Sequence, residues 1–190
     1  MKNSRFLVWI AMILSAFVIS ACGGGSSSGG SSVSASSASS ASTGGGGVVS
    51  SDEIFLNAFT DYACSPGWAN RNGALGRVAY SGSGTCETPF PGESGIYAVF
   101  LQAQTENDGN SPYAVSINGT NVQEGNYPYS TGSLNCNCSG DSCPDQIVNL
   151  GAGIHEISTG DTIGFFGDDV YQCGEHGSYA KWQGMIFIRQ

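Results

Sequence analysis

A run of glycine and serine at residues 23–47 is the feature that most restricts how this chain can fold. It holds eleven serines and nine glycines, and its other residues are one valine, three alanines and one threonine. Such a segment has almost no apolar surface to bury, so we expect it to remain without a fold. A folded domain is therefore expected only at residues 49–190, which have the length of one ordinary domain.

The residues before this run have the three parts of a secretory signal. Lys2 and Arg5 precede an apolar stretch at residues 6–19, and small residues lead into Cys22 in the tetrad ISAC (19–22). The apolar stretch is shorter than the roughly 20 residues that a membrane span needs. These features predict a cleaved signal peptide at residues 1–21.

The ISAC tetrad resembles the lipobox of bacterial lipoproteins. The resemblance implies cleavage before Cys22, lipidation of that residue, and a flexible tether at residues 22–48. Gly23 stands where an inner-membrane retention aspartate would stand, so the analogy implies the outer membrane, on its periplasmic or cell-surface face. The alternative is an ordinary secretory signal with an incidental cysteine.

The mature chain is strongly acidic. With Lys2 and Arg5 in the signal, four cationic side chains remain against fifteen acidic ones. Phosphate binding needs a basic patch, so nucleic acid is excluded as a partner. The same acidity opposes attraction to anionic lipid, so membrane contact is expected only through the lipid anchor. Neutral glycans and divalent cations are compatible with this charge.

Short stretches of strand-forming residues alternate with turn-rich pieces. Residues 95–104 (GIYAVFLQAQ) are apolar almost throughout and predict a central strand buried on both faces. Residues 113–117 alternate in polarity and end at Asn118-Gly119, a strong signal for a two-residue hairpin turn. Further strands are predicted at residues 53–59, 146–150, 154–158, 161–166 and 180–188, with a turn at 151–153. No window of helical length has a clean 3.6-residue period, so we expect an all-β antiparallel sandwich or jelly roll.

An even number of cysteines remains after Cys22, which in an exported chain indicates disulfides. They are Cys64, Cys86, Cys136, Cys138, Cys143 and Cys173. Cys64 and Cys86 are a plausible local pair. Cys136 and Cys138 would point to opposite faces of an extended segment and are expected to have different partners. The alternative is a metal site at residues 136–143, although the spacing differs from the two-residue gap of most zinc sites.

Aromatic and short polar side chains in loop-like contexts indicate a carbohydrate site, because flat rings stack on sugar faces and polar groups bind hydroxyls. The aromatic candidates are Trp68, Tyr127, Tyr129, Tyr171 and Tyr179, and the polar ones are Asn107 and Asp108. Trp182, in the last predicted strand, fits either the core or the site. The turn at residues 106–109 (ENDG) either shapes a loop or binds a ligand or calcium.

Catalysis has little support in the sequence. There is no Gly-x-Ser-x-Gly elbow, and no cysteine is free to act as a nucleophile if all six are paired. Carboxylates are numerous enough for a glycosidase pair, but the sequence does not bring two of them together. We therefore expect binding without turnover.

Two blocks resemble galactose-binding-like β-sandwich modules. Residues 95–122 contain a strand, the acidic ENDG turn and a second strand ending in Asn-Gly. Residues 157–188 contain a GDTI strand, a loop and a last strand of the form AKWxGxxF. The resemblance implies a jelly roll that binds polysaccharide, often beside glycan-degrading enzymes. The cysteine-rich insertion at residues 133–145 departs from the pattern and is expected to reshape or cover one binding edge.

The resemblance also implies a structural calcium ion between the first strand and the last, with Glu53 as the first-strand ligand. The last strand has Gln183 where many relatives place an aspartate. Asp168 and Asp169 are the other acidic residues that we consider as metal ligands.

Three functions are compatible with these features. The first is an outer-membrane-anchored lipoprotein domain that binds plant or algal cell-wall polysaccharide without turning it over. The second is a structural or adaptor lipoprotein whose partner is another envelope protein, which an exposed apolar patch would favour. The third is a small polysaccharide hydrolase or lyase, which two facing carboxylates in a cleft would favour.

Overall fold

The structure is a computed structural model that describes residues 53–138 and 143–190. The predicted signal peptide (1–21), Cys22 and the predicted tether (22–48) lie outside the described residues. Across the part of the chain that is described, every regular element is a β-strand, and no helix is long and apolar enough to cross a membrane.

In chain order the strands are β1 (Glu53–Asn57), β2 (Ala63–Cys64), β3 (Trp68–Arg71), β4 (Ala74–Arg77), β5 (Gly84–Pro89), β6 (Gly95–Thr105), β7 (Pro112–Ile117), β8 (Thr120–Asn126), β9 (Gln146–Ile157), β10 (Thr162–Gly167), β11 (Val170–Cys173), β12 (His176–Ser178) and β13 (Trp182–Arg189).

These strands form two antiparallel sheets and one separate hairpin. Sheet A has the order β3-β4-β13-β6-β9, and β1 also pairs with β13; sheet B has the order β2-β5-β10-β7-β8. Among the described strands, β11 and β12 pair only with each other. The chain passes from sheet A to sheet B between β6 and β7, and back between β8 and β9, as in jelly rolls. The predicted antiparallel β-sandwich is confirmed.

One face of each sheet lies in a shared core. On β6 of sheet A, Val99 and Leu101 are buried, and on β10 of sheet B, Ile163 and Phe165 are buried. The Trp182 ring joins the two layers, because its centroid lies 4.2 Å from that of Phe165. Burial of rings this large is the main favourable term for folding, at about 1.5–3 kcal/mol for a large apolar side chain.

Two details of the predicted strands are wrong. The β6 segment is not buried on both faces: its outward residues are partly exposed, and Ile96 is 53% exposed. The predicted turn at 151–153 is not a turn, because β9 runs through it. Gly153 has a φ of 91°, and the register with β6 shifts between Ala98 and Phe100, so the glycines accommodate a bulge within one long strand.

The hairpin between β7 and β8 has the predicted turn. Asn118 has a φ of 51° and Gly119 a φ of 75°. Both values lie in the left-handed region that a type I′ turn requires, which asparagine and glycine tolerate best.

The six cysteines that follow Cys22 all form disulfides. Cys64 is bonded to Cys86, as predicted, and joins neighbouring positions of β2 and β5. Cys136 is bonded to Cys173 and Cys138 to Cys143, so the prediction of different partners is confirmed. Because these sulfurs are paired with each other, the alternative zinc site does not form.

Candidate functional site

Four long-range strand ends meet at one end of sheet A. β4 ends there at Arg77 and β6 ends at Thr105, whereas β9 begins at Gln146 and β13 at Trp182. Antiparallel pairing brings the loops that leave these strands together, and the β11–β12 hairpin lies beside them. Most of the predicted site residues are in these loops.

Three tyrosines pack together at this end, and we call Tyr80, Tyr171 and Tyr179 the tyrosine cluster. The rings of Tyr80 and Tyr171 are stacked, with centroids 4.2 Å apart and planes 10° apart. Tyr179 stands edge-on to Tyr171 at 6.1 Å. Tyr80 is 69% exposed, so the cluster presents an aromatic surface to solvent.

Hydrogen bonds hold the central ring of the cluster. The Tyr171 hydroxyl donates to Asp169 Oδ2 at 2.8 Å and accepts the backbone N–H of Tyr80 at 2.5 Å. Burial, together with the bond to Asp169, raises the pKa of Tyr171 to about 12. The hydroxyl therefore stays protonated and keeps both bonds at any physiological pH.

Arg71 extends the tyrosine cluster on its other side. Its guanidinium carbon lies 3.6 Å from the centroid of the Tyr179 ring, and its Nε donates to the Arg77 carbonyl oxygen at 2.7 Å. Among the described residues, no hydrogen bond to its two terminal nitrogens is found. Arg71 therefore offers donors in a planar fork beside an aromatic face.

A polar cleft adjoins the cluster, with a volume of about 520 Å³. A second cavity of about 470 Å³ continues it toward Arg71 and Tyr179 and shares part of its lining. Residues that line the cleft include Asn72, Glu106, Asp108, Asp145, His176 and Lys181. The tyrosine cluster and the polar cleft together form one surface with rings on one side and hydrogen-bonding groups on the other.

A buried ion triad forms the inner wall of the cleft. Lys181 Nζ lies 2.9 Å from Glu106 Oε1 and 2.5 Å from Asp145 Oδ2. The other oxygen of Glu106 accepts the backbone N–H of Tyr179 at 2.7 Å. Burial raises the pKa of Glu106, and the Lys181 ammonium acts against that rise. The triad thus fixes the backbone that carries the Tyr179 ring.

Strained backbone is concentrated at the same end. Asn72, Tyr80 and Ala180 have φ values of 55°, 60° and 47°. The left-handed region is costly for residues other than glycine, and such strain is kept mainly where the surrounding structure needs a particular geometry. Asn72 lines the cleft, Tyr80 belongs to the cluster, and Ala180 joins Tyr179 to Lys181.

Arg77 supports the loop that carries Tyr80. Arg77 is 2% exposed, and its guanidinium donates to four carbonyl oxygens, those of Pro66, Ser81, Gly82 and Ser83. A buried guanidinium is stable only when its N–H groups are hydrogen-bonded. These four bonds to carbonyl oxygens therefore hold the loop in one path.

Both predicted polar residues, Asn107 and Asp108, line the cleft. The Oδ1 atom of Asp108 is buried without a hydrogen-bond partner among the described residues, and burial raises the pKa of Asp108. Asn107 is 8% exposed, and its amide donates to the carbonyl oxygens of Asn135 and Cys138 at 2.7 and 3.3 Å. Asn107 therefore holds the cysteine-rich segment against the cleft.

The predicted aromatic residues separate into two groups. Tyr171 and Tyr179 come together in the cluster, and Tyr129 is bound to the neighbouring β11 residue Gln172 through its hydroxyl at 2.9 Å. Trp68 is half-buried: its ring packs on Phe165 at 5.8 Å and under the Arg77 guanidinium at 4.8 Å. Trp68 therefore packs between the core residue Phe165 and the Arg77 guanidinium, which holds the loop that carries Tyr80.

Tyr127 and Trp182 do not belong to the site. Tyr127 is 1% exposed and Trp182 is 0% exposed, and both rings are part of the hydrophobic core. A ring with no accessible face cannot stack on a sugar. The prediction that these two residues contact carbohydrate is therefore wrong, and for Trp182 the core alternative is right.

The predicted calcium ligands are not brought together. Glu53 pairs with Ile188 near the end of β13, whereas Asp168 and Asp169 follow Gly167, which contacts Ala180 just before β13 begins. The eight residues from Ala180 to Ile188, at about 3.3 Å each, separate these positions by about 26 Å along the strand. Across the described parts of the chain, no group of three or more potential metal ligands occurs. The residues present do not fit the implied calcium site.

Sequence reasoning missed Tyr80 and Arg71. Tyr80 lies in a Gly/Ser-rich segment (AYSGSG, 79–84), a loop-like context similar to that of the predicted aromatic site residues. Arg71 directly precedes the Asn72-Gly73 turn. Both signals were present, but the contact of each residue with a ring distant in sequence depends on the fold.

No family model matches the sequence, and no curated protein matches it. Among solved structures, the chain is similar to a GH26-CBM35 β-(1,4)-mannanase of Podospora anserina (13% identity, TM-score 0.45), with 73% of this chain and 28% of that one covered. It is similar to a family 35 carbohydrate-binding module of Clostridium thermocellum (13% identity, TM-score 0.40, coverage 73% and 93%). It is also similar to the insecticidal crystal protein Cry2Aa (14% identity, TM-score 0.49), of which it spans 21%. At these identities and scores, the similarities assign the chain to no family.

Proposed function

We propose that the domain binds a carbohydrate chain without cleaving it, through the tyrosine cluster and the polar cleft. The observation that carries this proposal is the stacked pair of Tyr80 and Tyr171, which presents an aromatic surface beside free hydrogen-bonding groups. Sugar rings have one apolar face and a rim of hydroxyls. A site of this kind matches both features at once.

The polar groups beside the rings are suited to hydroxyls. The Arg71 fork can donate, Asp108 Oδ1 is a buried acceptor in need of a donor, and Asn72 adds an amide. A buried acceptor without a partner costs about 1–3 kcal/mol. A bound hydroxyl that donates to Asp108 would remove that cost.

The salt-bridged pair of acids in the cleft favours binding over hydrolysis. A glycosidase places two carboxylates about 5–10 Å apart on either side of the bond that it cleaves. In the cleft, Glu106 and Asp145 both contact the same Lys181 ammonium. Two carboxylates that share one counter-ion on one wall do not face each other across a substrate.

We further propose that the domain is held at the outer membrane by lipidated Cys22 and that its ligand is a plant or algal cell-wall polysaccharide. The supporting features are the ISAC tetrad, the Gly/Ser run at residues 23–47 and the acidity of the mature chain. Labelling with radioactive palmitate, with and without Cys22→Ser, tests the anchor separately from the ligand.

Retention of the purified protein on a panel of soluble and insoluble polysaccharides tests the binding proposal. We expect retention on at least one glycan class, and Tyr171→Ala should weaken it roughly tenfold or more, because a stacked ring contributes at least 1.4 kcal/mol. Phe55→Ala removes an exposed aromatic ring from the outer face of sheet A, away from the cleft, and is the matched control. Equal loss from both variants, or no retention of the folded protein on any glycan, would refute the proposal.

A second candidate function is docking of an envelope protein on the outer face of sheet A. That face carries neighbouring apolar side chains on three strands, since Phe55 pairs with Ile186 and Ile186 pairs with Phe100. Ile96 and Ile154 extend the patch and are 53% and 62% exposed. Capture of an envelope protein by the wild type but not by Phe55→Ala would support this function.

A further inference from the structure

The outward face of sheet B carries a groove that is separate from the polar cleft. Its volume is about 740 Å³, and it shares no lining residue with the cleft. Space is left at the floor because the residues of β10 and β7 that line it, Gly164, Ala114 and Ser116, are small. Longer side chains stand on the flanking strands, with Glu87 on β5 and Glu124 on β8.

The strand register defines the path of the groove. Gly164 pairs with Glu87 on one side and with Ser116 on the other, and Ser116 pairs with Asn121. The groove therefore crosses four strands, and three strand spacings give it a length of about 14 Å. A side chain at Gly164 would meet the Ser116 hydroxyl, so glycine keeps this part of the floor open.

An aromatic ring lies in the floor. Phe166 is paired with Thr85 and with Ala114, and it points away from the core that its neighbour Phe165 fills. The ring is half-buried rather than covered, so one part of it is available to a ligand. Apolar contact in the floor and polar groups along the rims are the usual composition of a ligand groove.

The charge of the groove restricts its ligand. Its charged lining residues are Glu87 and Glu124, and no cationic side chain is among the described residues that line it. Carboxylates accept hydrogen bonds from hydroxyls but repel anionic groups. The polar cleft is different, because Arg71 and Lys181 lie there.

We propose that this groove is a second carbohydrate-binding site, which takes a segment of a neutral glycan chain across the strands of sheet B. One sugar ring lies on Phe166, and hydroxyls along the glycan segment donate to Glu87 on one side and Glu124 on the other. The inference extends the proposed function to another surface, and it does not require the tyrosine cluster to bind. With two sites, one protein can contact a polysaccharide at two places, which increases avidity.

The test uses the full-length protein with Tyr171→Ala, in which the cluster is disabled, and measures calorimetric binding. The probes are neutral oligosaccharides of β-linked mannose, xylose or glucose, with oligogalacturonate as the anionic contrast. Tyr171→Ala should retain binding of one neutral probe, and adding Phe166→Ala should weaken that binding roughly tenfold or more. Adding Glu87→Gln and Glu124→Gln instead should allow oligogalacturonate to bind.

A second groove variant distinguishes loss of the site from a folding defect. Thr85→Arg places a long side chain beside Phe166 from an exposed strand position and leaves the Phe166 ring in place. It should weaken binding as Phe166→Ala does, and thermal unfolding should be little changed in both. If both variants leave the affinity of Tyr171→Ala unchanged, the groove is not a site. Loss of neutral-probe binding in Tyr171→Ala itself would overturn the groove and leave the cleft; no binding by the wild type would overturn both.

Discussion

Lys181→Met is the change that most directly tests the account of the ion triad. The Lys181 side chain is 3% exposed and that of Glu106 is 9% exposed. Removal of the ammonium leaves the Glu106 carboxylate buried with one remaining described hydrogen bond, from the Tyr179 backbone N–H. Breaking a buried ion pair on one side costs about 3–5 kcal/mol, because the other charge is left uncompensated.

The loss should lie near the lower end of this range. The second acid of the triad, Asp145, is 24% exposed and keeps a hydrogen bond from Gln104 Nε2 at 2.9 Å. Only Glu106 is therefore left both buried and without a counter-charge. We expect a decrease of about 3 kcal/mol in the free energy of unfolding near neutral pH.

The decrease should depend on pH in a defined direction. Burial already raises the pKa of Glu106, and removal of Lys181 takes away the main opposing effect, so the pKa in the folded variant rises further. The folded variant then binds a proton at a pH at which the unfolded chain does not. Its stability therefore increases as the pH falls through the raised pKa toward the unfolded value. The destabilisation should be smaller in a mildly acidic buffer than at neutral pH.

Urea unfolding followed by tryptophan fluorescence measures these free energies. Arg189→Met is the matched control, because Arg189 pairs with Glu93, whose side chain is 84% exposed, and such surface pairs contribute at most about 1 kcal/mol. Lys181→Met with Glu106→Gln should be more stable than Lys181→Met alone. The reasoning is refuted if the single change costs less than about 1 kcal/mol at both pH values, or if the double change gives no recovery.

Other predictions concern single packing contacts. Trp182→Ala should lower the free energy of unfolding by about 3–5 kcal/mol, because it removes a fully buried ring, as chemical denaturation would measure. Gly167→Ala should cost about 1–3 kcal/mol by overpacking, because its Cβ would lie 2.6 Å from that of Ala180; a thermal midpoint like that of the wild type would contradict this. Gly177→Ala should distort the β11–β12 hairpin, since its Cβ would meet the Val170 carbonyl. Retention on glycan should therefore fall in a variant that still unfolds as a folded protein on heating.

The sequence predicted the fold class because strand signals are local. The Asn118-Gly119 turn and the alternation at residues 113–117 each depend on neighbouring residues, and both are confirmed. The strands that were missed are short or rich in glycine and polar residues, as in β3 (WANR) and β4 (ALGR). They are stabilised by pairing at the edge of sheet A and by the Arg77 contacts, which no local pattern contains.

The candidate site was only partly predictable. Tyr171 and Tyr179 were selected as loop aromatics, but residue type and context also selected Tyr127, which the core buries. Burial of an aromatic residue is decided by the segments that pack over it, here from distant parts of the chain. The groove on sheet B was not predicted, because its floor depends on which small residues of β7 and β10 are paired side by side.

The position of Glu53 has a mechanical consequence. The first described strand begins at the end of β13 that is farthest from the polar cleft, and β1 and β13 are joined by five paired residues. A pull between a ligand in the cleft and the chain that precedes Glu53 would run parallel to these strands. Such a load shears the hydrogen bonds of the ladder together, whereas a perpendicular load would peel them apart one by one. With a ligand bound in the cleft as proposed, the β1–β13 ladder would therefore resist drag along its strands.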